Sequence, residues 1–426
     1  MKSPPRVTLI GPANPATTLP NGVLLSHTNS VFRYSGARSE TWGDTYPKGY
    51  FTVAGGITGV YAQIPFKIEF EIDAQEFEFL TLGTGARYRL KIDGDYVELD
   101  ERVSPQPDGN FYWVKLEFDS KRRRGVAIEA NGLAFGGVAL NSEDRAYYPE
   151  TSLGPRCIVL GDSFTEGLLS FAQRLSGLTG WEIWGSGVGG IGYMNPGPPG
   201  RVQFIARVES DVIRNYPDIV VIAGGINDAA YPPDALRTQA QALYDTLLTN
   251  LPSAKLVVLG PWWPRGVPPQ FVLDTRDALK DAALSRGLEF IDPIVATNTT
   301  QKNVGWITGT GYTGNPQGDG NADLYISSDH THPTDLGHQY LALRLAERLR
   351  AVQVVDPTPR IEILSPQRFR IHGSIGRRYL LQFKPGLKDA EWVNGSTLSL
   401  SSNPQTWFDV NTAGLQNRFY RALLLP

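Results

Sequence analysis

Apolar and polar residues alternate strictly through Phe66-Lys67-Ile68-Glu69-Phe70-Glu71-Ile72, the period of a strand with one dry face and one wet face. Segments 87–92 and 96–99 flank Asp93-Gly94, and 126–128 and 133–135 flank Asn131-Gly132; both dipeptides favour tight hairpin turns. Residues 1–150 therefore read as an accessory β-sandwich domain. The pattern changes after Pro149 and Pro155. Short, mainly apolar runs at 157–160, 181–184, 219–223, 256–259 and 288–291 suit parallel strands buried on both faces. Segments 236–251, 276–286 and 336–349 read as helices, the last carrying Leu341, Leu345 and Leu349 on one face. Residues 151–355 are thus expected to form a three-layer α/β/α domain around a five-stranded parallel sheet. Past Pro357 and Pro359, segments 378–383, 407–410 and 419–425 read as strands, which makes 360–426 a small all-β module.

Composition narrows the field. Forty basic against 43 acidic residues leave a formal charge of -3, which gives no electrostatic reason to bind nucleic acid or anionic lipid. No apolar run approaches the roughly 18 residues of a membrane helix. Val7-Thr8-Leu9-Ile10-Gly11 is too short for a signal-peptide core, so the chain is expected to be extracytoplasmic with its export signal absent from this sequence, or cytoplasmic. The sole cysteine, Cys157, cannot form an internal disulfide and lies in an apolar run, where a buried, inert thiol is expected. Lys121-Arg122-Arg123-Arg124, between strand-like segments, reads as a solvated turn.

Candidate chemistry collects at the ends of the central apolar runs. Gly161-Asp162-Ser163 follows the first and precedes a helical stretch, placing Ser163 at the carboxyl end of the sheet by a helix N-terminus, where open α/β sheets bind ligands. Alone, the tripeptide is equally an ordinary turn. The second run leads into Gly185-Ser186-Gly187-Val188-Gly189-Gly190, a formal match to the dinucleotide fingerprint G-x-G-x-x-G. That fingerprint needs a helix to open at its third glycine, and the prolines and glycines of 191–200 forbid one, so no nucleotide cofactor is expected. A glycine loop can still aim a backbone N–H at an anion. The third run ends in Gly224-Gly225-Ile226-Asn227-Asp228, bringing Asn227 to the rim that carries Ser163. Asp329-His330-Thr331-His332-Pro333-Thr334 precedes the last helix, with Pro333 suited to its first position. A carboxylate three residues before a histidine can accept its Nδ1 proton, leaving Nε2 to take a proton from a serine.

These blocks, in this order and on these strand ends, resemble the SGNH (GDSL-type) hydrolase family over roughly residues 158–350. The resemblance implies Ser163 as nucleophile, His332 as general base and Asp329 as its orienting carboxylate, with no cofactor. The oxyanion hole it implies comprises the backbone N–H groups of Ser163 and Gly190 and the side chain of Asn227. Gly185 stands where the family often has asparagine, which makes Gly189 the neighbouring candidate for Gly190. The competing enzyme reading is a metal hydrolase, since His330, His332 and His338 lie close together beside Asp329 and Asp335. Against it, His338 falls in the last helix and no distant fourth ligand stands out, so no metal is expected.

Trp262 and Trp263 follow the fourth run, and Trp306 and Tyr312 lie in the long glycine-rich segment 298–325. Their aromatic faces are candidate substrate-binding surfaces, with core packing as the alternative and one of Trp262 and Trp263 expected to face the site. A β-sandwich ahead of this hydrolase domain resembles carbohydrate esterase family 2 in layout, which implies an esterase removing O-acetyl groups from a carbohydrate. The alternatives are a short-chain carboxylester hydrolase or thioesterase acting on lipid or aryl esters, and a carbohydrate-binding surface protein without activity.

Overall fold

In the computed structural model, residues 4–13, 16–35, 65–98, 100–149, 154–264, 266–295, 305–350, 352, 359–365, 367–374, 377–386, 391–401, 403–409 and 418–425 are described. The alternating segment that opens at Phe66 continues as one strand, Phe66–Leu82, paired along its length with a second long strand, Phe111–Asn131. Both strands bend together. Their register shifts between Ala74 and Glu76. A straight strand would hold Phe70 and Phe77 about 23 Å apart, yet their ring centroids lie 5.8 Å apart. One antiparallel sheet of ten strands is thereby folded over on itself, its halves facing each other across Phe70, Ile72, Phe77, Phe79, Ile128 and Phe135.

Two local expectations change here. Asp93-Gly94 does make a tight hairpin, both residues taking positive φ of 53° and 89°. Asn131-Gly132 does not: Phe111–Asn131 and Phe135–Asn141 lie on opposite sides of Phe66–Leu82, so the dipeptide carries the chain across that strand. The basic run is no turn either. It lies inside Phe111–Asn131 at the fold-over, where Lys121, Arg122 and Arg123 pair with Asp144, Asp93 and Glu71. Arg124 is buried against Phe118 and donates to the carbonyls of Ala74 and Ser120, so the run ties down the bend.

The central sheet holds five parallel strands, Arg156–Gly161, Glu182–Gly187, Ile219–Ala223, Lys255–Leu259 and Glu289–Ile291, in the spatial order second, first, third, fourth, fifth. Its helices are α1 (Phe171–Thr179), α2 (Phe204–Asp211), α3 (Pro233–Asn250), α4 (Gln270–Leu284), α5 (Ala322–Tyr325) and α6 (Asp335–Leu349). Alternate residues of each strand serve opposite cores, which is why these runs are mainly apolar. Ile158 and Leu160 pack with α2, α3 and α4. Cys157 and Val159 pack with α1 and α6, where Leu341, Leu345 and Leu349 are buried. Full burial pushes the Cys157 thiol up, in keeping with an inert role. Strand order reverses between the first and third strands, which opens a crevice at their carboxyl ends. Among the described residues no helix is long and apolar enough to cross a membrane.

Two three-stranded antiparallel sheets near the end of the chain enclose Phe369, Ile371, Tyr379, Leu381 and Leu400. Arg360 docks them onto the central sheet, donating to Glu182 at 2.6 Å and to Asp218 at 2.7 Å, while Arg156 holds the same two carboxylates. Arg370 donates to the Pro149 carbonyl at 2.6 Å and lies over the Tyr148 ring. Glu182 opens the second strand and Asp218 precedes the third, so this docking is at the amino ends of the strands, away from the crevice. The junction at 150–153 and Pro357 lie outside the described residues.

Candidate active site

Gly161 ends the first strand because nothing larger fits: a Cβ there would lie 2.1 Å from Thr165 Oγ1 and 2.8 Å from the Ala223 carbonyl. The chain then folds back in a turn, with the Thr165 N–H donating to the Asp162 carbonyl and the Phe164 N–H to Asp162 Oδ1. Ser163 stands at its tip. Helix α1 starts only at Phe171, capped by Ser170, so a turn and not a helix N-terminus presents the serine. Across the crevice, the loop before α6 is closed by the Ser327 N–H donating to the His332 carbonyl and by His330 at φ 67°. Thr334 caps α6 through the Gly337 N–H, so Pro333 lies one residue before the cap instead of at the first helical position.

Ser163, His332 and Asp329 are brought together. Ser163 Oγ is 2.9 Å from His332 Nε2, and His332 Nδ1 is 2.6 Å from Asp329 Oδ2. Asp329 Oδ1 also accepts from Ser327 Oγ at 2.6 Å and from the N–H groups of Thr331 and His332 at 2.9 Å each. Desolvation would raise the Asp329 pKa, but these donors outweigh it and hold the carboxyl well below the usual range. An ionised Asp329 accepting from Nδ1–H leaves Nε2 with the lone pair that faces the serine hydroxyl. The His332 ring packs on Phe164 at 5.5 Å between centroids. With the His332 and Asp329 side chains 42% and 50% exposed, the site opens at the surface.

Asn227 lies in the short turn after the third strand; its Nδ2 donates to the Ile191 carbonyl at 2.9 Å and is 3.5 Å from Asp162 Oδ2. The glycine loop between them is organised by Asp228, whose buried carboxylate accepts from the N–H groups of Tyr193, Met194 and Asn195 at 2.8 to 2.9 Å. A Cβ on Gly192 would sit 2.1 Å from Asp228 Oδ2, which makes glycine obligatory there. Gly189 borders the serine. A Cβ on Gly189 would lie 3.5 Å from Ser163 Cβ, whereas one on Gly190, at φ 76°, would meet Pro198 first. Among the described residues no acceptor takes the N–H of Ser163 or of Gly190. Burial, together with the nearby Asp228 and Glu166, pushes Asp162 up to about 7, against the lowering effect of the Phe164 N–H.

The tryptophans are corrected. Trp262 and Trp306 are 3% and 2% exposed and meet edge to face at 5.2 Å in the core, so neither offers a face to substrate. Trp262 stacks under Phe164 at 6.1 Å and so supports the ring on which His332 packs. Trp263 keeps some exposed surface, resting against the cluster of Val272, Leu273 and Ile294. Tyr312, also partly exposed, contacts His330 at 3.9 Å between ring centroids. His338 Nδ1 accepts the Phe171 N–H, which turns that ring toward α1 and not toward His332. Burial, with Arg174 nearby, holds its pKa down at about 4. The reading from sequence missed Phe164 and Asp228. Only Asp228 had a signal, as a carboxylate directly after Asn227 on the rim.

Residues 159–340 match the model of the GDSL-like Lipase/Acylhydrolase family. The GDSL lipase Rv0518 of Mycobacterium tuberculosis is 29% identical over 220 residues, which is 47% of this chain and 85% of that protein. A family two carbohydrate esterase from Clostridium thermocellum, solved in complex with cellohexaose, has a TM-score of 0.54 at 15% identity, covering 75% of this chain and 98% of its own. The salicylyl-acyltransferase SsfX3 from a tetracycline biosynthetic pathway has a TM-score of 0.57 at 14% identity, covering 79% and 99%. At these identities the likeness is one of fold, and its extent exceeds the central domain.

Proposed function

With its central domain a member of the GDSL-like lipase/acylhydrolase family, and the protein thus a hydrolase of SGNH type, we propose that it removes O-acetyl or other short acyl groups from a carbohydrate, with Ser163, His332 and Asp329 as catalytic triad. The observation that carries this reading is the unbroken line from Ser163 Oγ through His332 to Asp329 at the crevice, beside unclaimed backbone N–H groups. Ser163 attacks the ester carbonyl while His332 Nε2 takes its proton. The oxygen that becomes negative is held by the N–H groups of Ser163 and Gly190 and by Asn227. His332 returns the proton to the departing sugar hydroxyl, and water then repeats the sequence on the acyl-enzyme.

The carbohydrate reading is supported by the folded-over β domain ahead of the hydrolase domain, a layout in keeping with the family two carbohydrate esterase, and by a triad open enough to admit a polymer. The name of the mycobacterial relative favours a second reading, a carboxylester hydrolase acting on lipid esters. Acetyl, butyryl and octanoyl esters of one alcohol separate the two, alongside acetate release from acetylated polysaccharides. A groove that fits the chain gains up to roughly 0.8 kcal/mol per methylene. We expect kcat/KM to fall from acetyl to octanoyl, acetate to be released, and Ser163→Ala to abolish both activities. A specificity constant that climbs with chain length would reject the carbohydrate reading, and a Ser163→Ala variant keeping a tenth of the rate would reject the nucleophile.

A further inference from the structure

We propose that Arg201 is a positioning residue that fixes the Gly189–Gly190 peptide plane and so aims the Gly190 N–H at the oxyanion; this rests on the esterase reading above. Arg201 Nη1 donates to the Gly189 carbonyl oxygen. In a trans peptide the carbonyl and the following N–H point in opposite directions. A guanidinium that captures the Gly189 oxygen therefore turns the Gly190 N–H the other way. The parts are close together: a Cβ built on Gly189 would be 3.1 Å from Arg201 Nη1 and 3.5 Å from Ser163 Cβ. Among the described residues nothing accepts the Gly190 N–H, so it is available to an incoming oxygen.

The plane needs holding because neither residue resists rotation. Both lack a Cβ, and Gly190 sits at φ 76°, a region in which glycine moves freely. Half a turn of the plane would put a carbonyl oxygen where the donor belongs, exchanging attraction for repulsion at the developing negative charge. Side chains cannot supply the stiffness, since a Cβ on Gly189 would meet Glu166 Oε2 at 2.7 Å and one on Gly190 would meet Pro198 Cδ at 3.3 Å. The loop thus uses glycine for space and a side chain from further along the chain for orientation. Gly197 and Gly200, both at positive φ, and the Arg201 N–H donating to the Pro198 carbonyl bring that side chain back over the loop. The rigid planar fork of arginine suits this task better than the flexible ammonium of lysine.

Arg201→Ala and Arg201→Lys in the full chain, assayed on a chromogenic acetyl ester with Ser163→Ala as control, test the assignment. Loss of one oxyanion donor lowers kcat by roughly 10²- to 10³-fold; a donor that is misaimed part of the time should cost Arg201→Ala about ten- to a hundred-fold, and Arg201→Lys less. KM should stay within about twofold and the pH profile should keep its shape, because His332 and Asp329 are untouched. A boronic acid that mimics the tetrahedral intermediate should lose affinity in step with kcat. Added methylguanidinium should restore part of the Arg201→Ala rate, and methylammonium should not. Retention of kcat within twofold in Arg201→Ala would overturn the proposal. So would a raised KM with kcat intact, which would put Arg201 in contact with substrate, or a rate loss equal to the loss of titratable active sites. If Ser163→Ala remains active, the assignment of Ser163 as nucleophile, on which this inference rests, fails; if it is dead while Arg201→Ala is fully active, only this inference does.

Discussion

Four hydrogen bonds converge on the Asp329 carboxylate, and just one of them, from His332 Nδ1, lies on the line to Ser163. Asp329→Asn would present an amide N–H to His332 Nδ1 and push the imidazole proton onto Nε2, the wrong tautomer for accepting from Ser163. We expect that change to lower kcat on the order of 10⁴-fold and His332→Ala on the order of 10⁶-fold, as steady-state assays would measure. Asp162 tests a different property. Its folded pKa of about 7 lies above the ordinary value of about 3.9, so the folded state binds the proton more tightly. Its contribution to stability is then fullest below about pH 4 and is lost as pH rises toward 7. Asp162→Asn should raise the melting temperature relative to wild type at pH 8 and not at pH 4, with a ceiling of about 4 kcal/mol. Ser163, Asn227 and His332 were legible because each sits where an apolar run stops or a helix begins. The role of Asp228 was not, because it depends on three N–H groups of residues 193–195 that are brought to it by tertiary folding and leave no periodic trace.

At the level of elements, the sequence pattern located all five parallel strands and missed what their neighbours do with the spare surface. Trp262 follows a run that ends on the rim and Trp306 lies in the glycine-rich segment beyond the last run, yet apolar area drew both inward, Trp262 beneath Phe164 and Trp306 against Trp262. Asn131-Gly132 carries good hairpin chemistry but leads to a strand whose partner is already in place between the two arms. Turn propensity is local, whereas strand order is decided by the whole sheet. The glycine loop offers a paired test. Gly192→Ala would drive a Cβ into the Asp228 carboxylate and leave buried N–H groups without their acceptor, costing about 3 kcal/mol or more. It should also abolish most ester hydrolysis. Gly177→Ala, in α1 with nothing within 4 Å of the new Cβ, should instead be neutral or stabilise by up to about 1 kcal/mol. Urea titration of both variants measures the contrast.

For the whole molecule, the terminal β module is fastened at the end of the sheet opposite the chemistry. Arg360 reaches the buried carboxylates of Glu182 and Asp218, a strand's length of about 20 Å from the crevice. Arg360→Ala should therefore leave kcat unchanged while destabilising the protein by about 3 kcal/mol, Arg156 remaining as partial compensation. Burial would raise the Glu182 pKa, but Arg156 and Arg360 outweigh it and hold the group at about 2, below its ordinary value of about 4.3. Stability from this group is complete above about pH 4.3 and disappears as pH falls toward 2, so the variant should unfold at a higher pH on acid titration. The folded-over sheet has a consequence of another kind. Because Phe66–Leu82 and Phe111–Asn131 each run through both halves, neither half can come away without breaking the strands of the other. The amide hydrogens of Ile68 and Leu80, on opposite sides of the bend, should exchange with deuterium at the same opening free energy, that of the domain's global unfolding. Two separate rates would mean that the bend is a hinge between independent units.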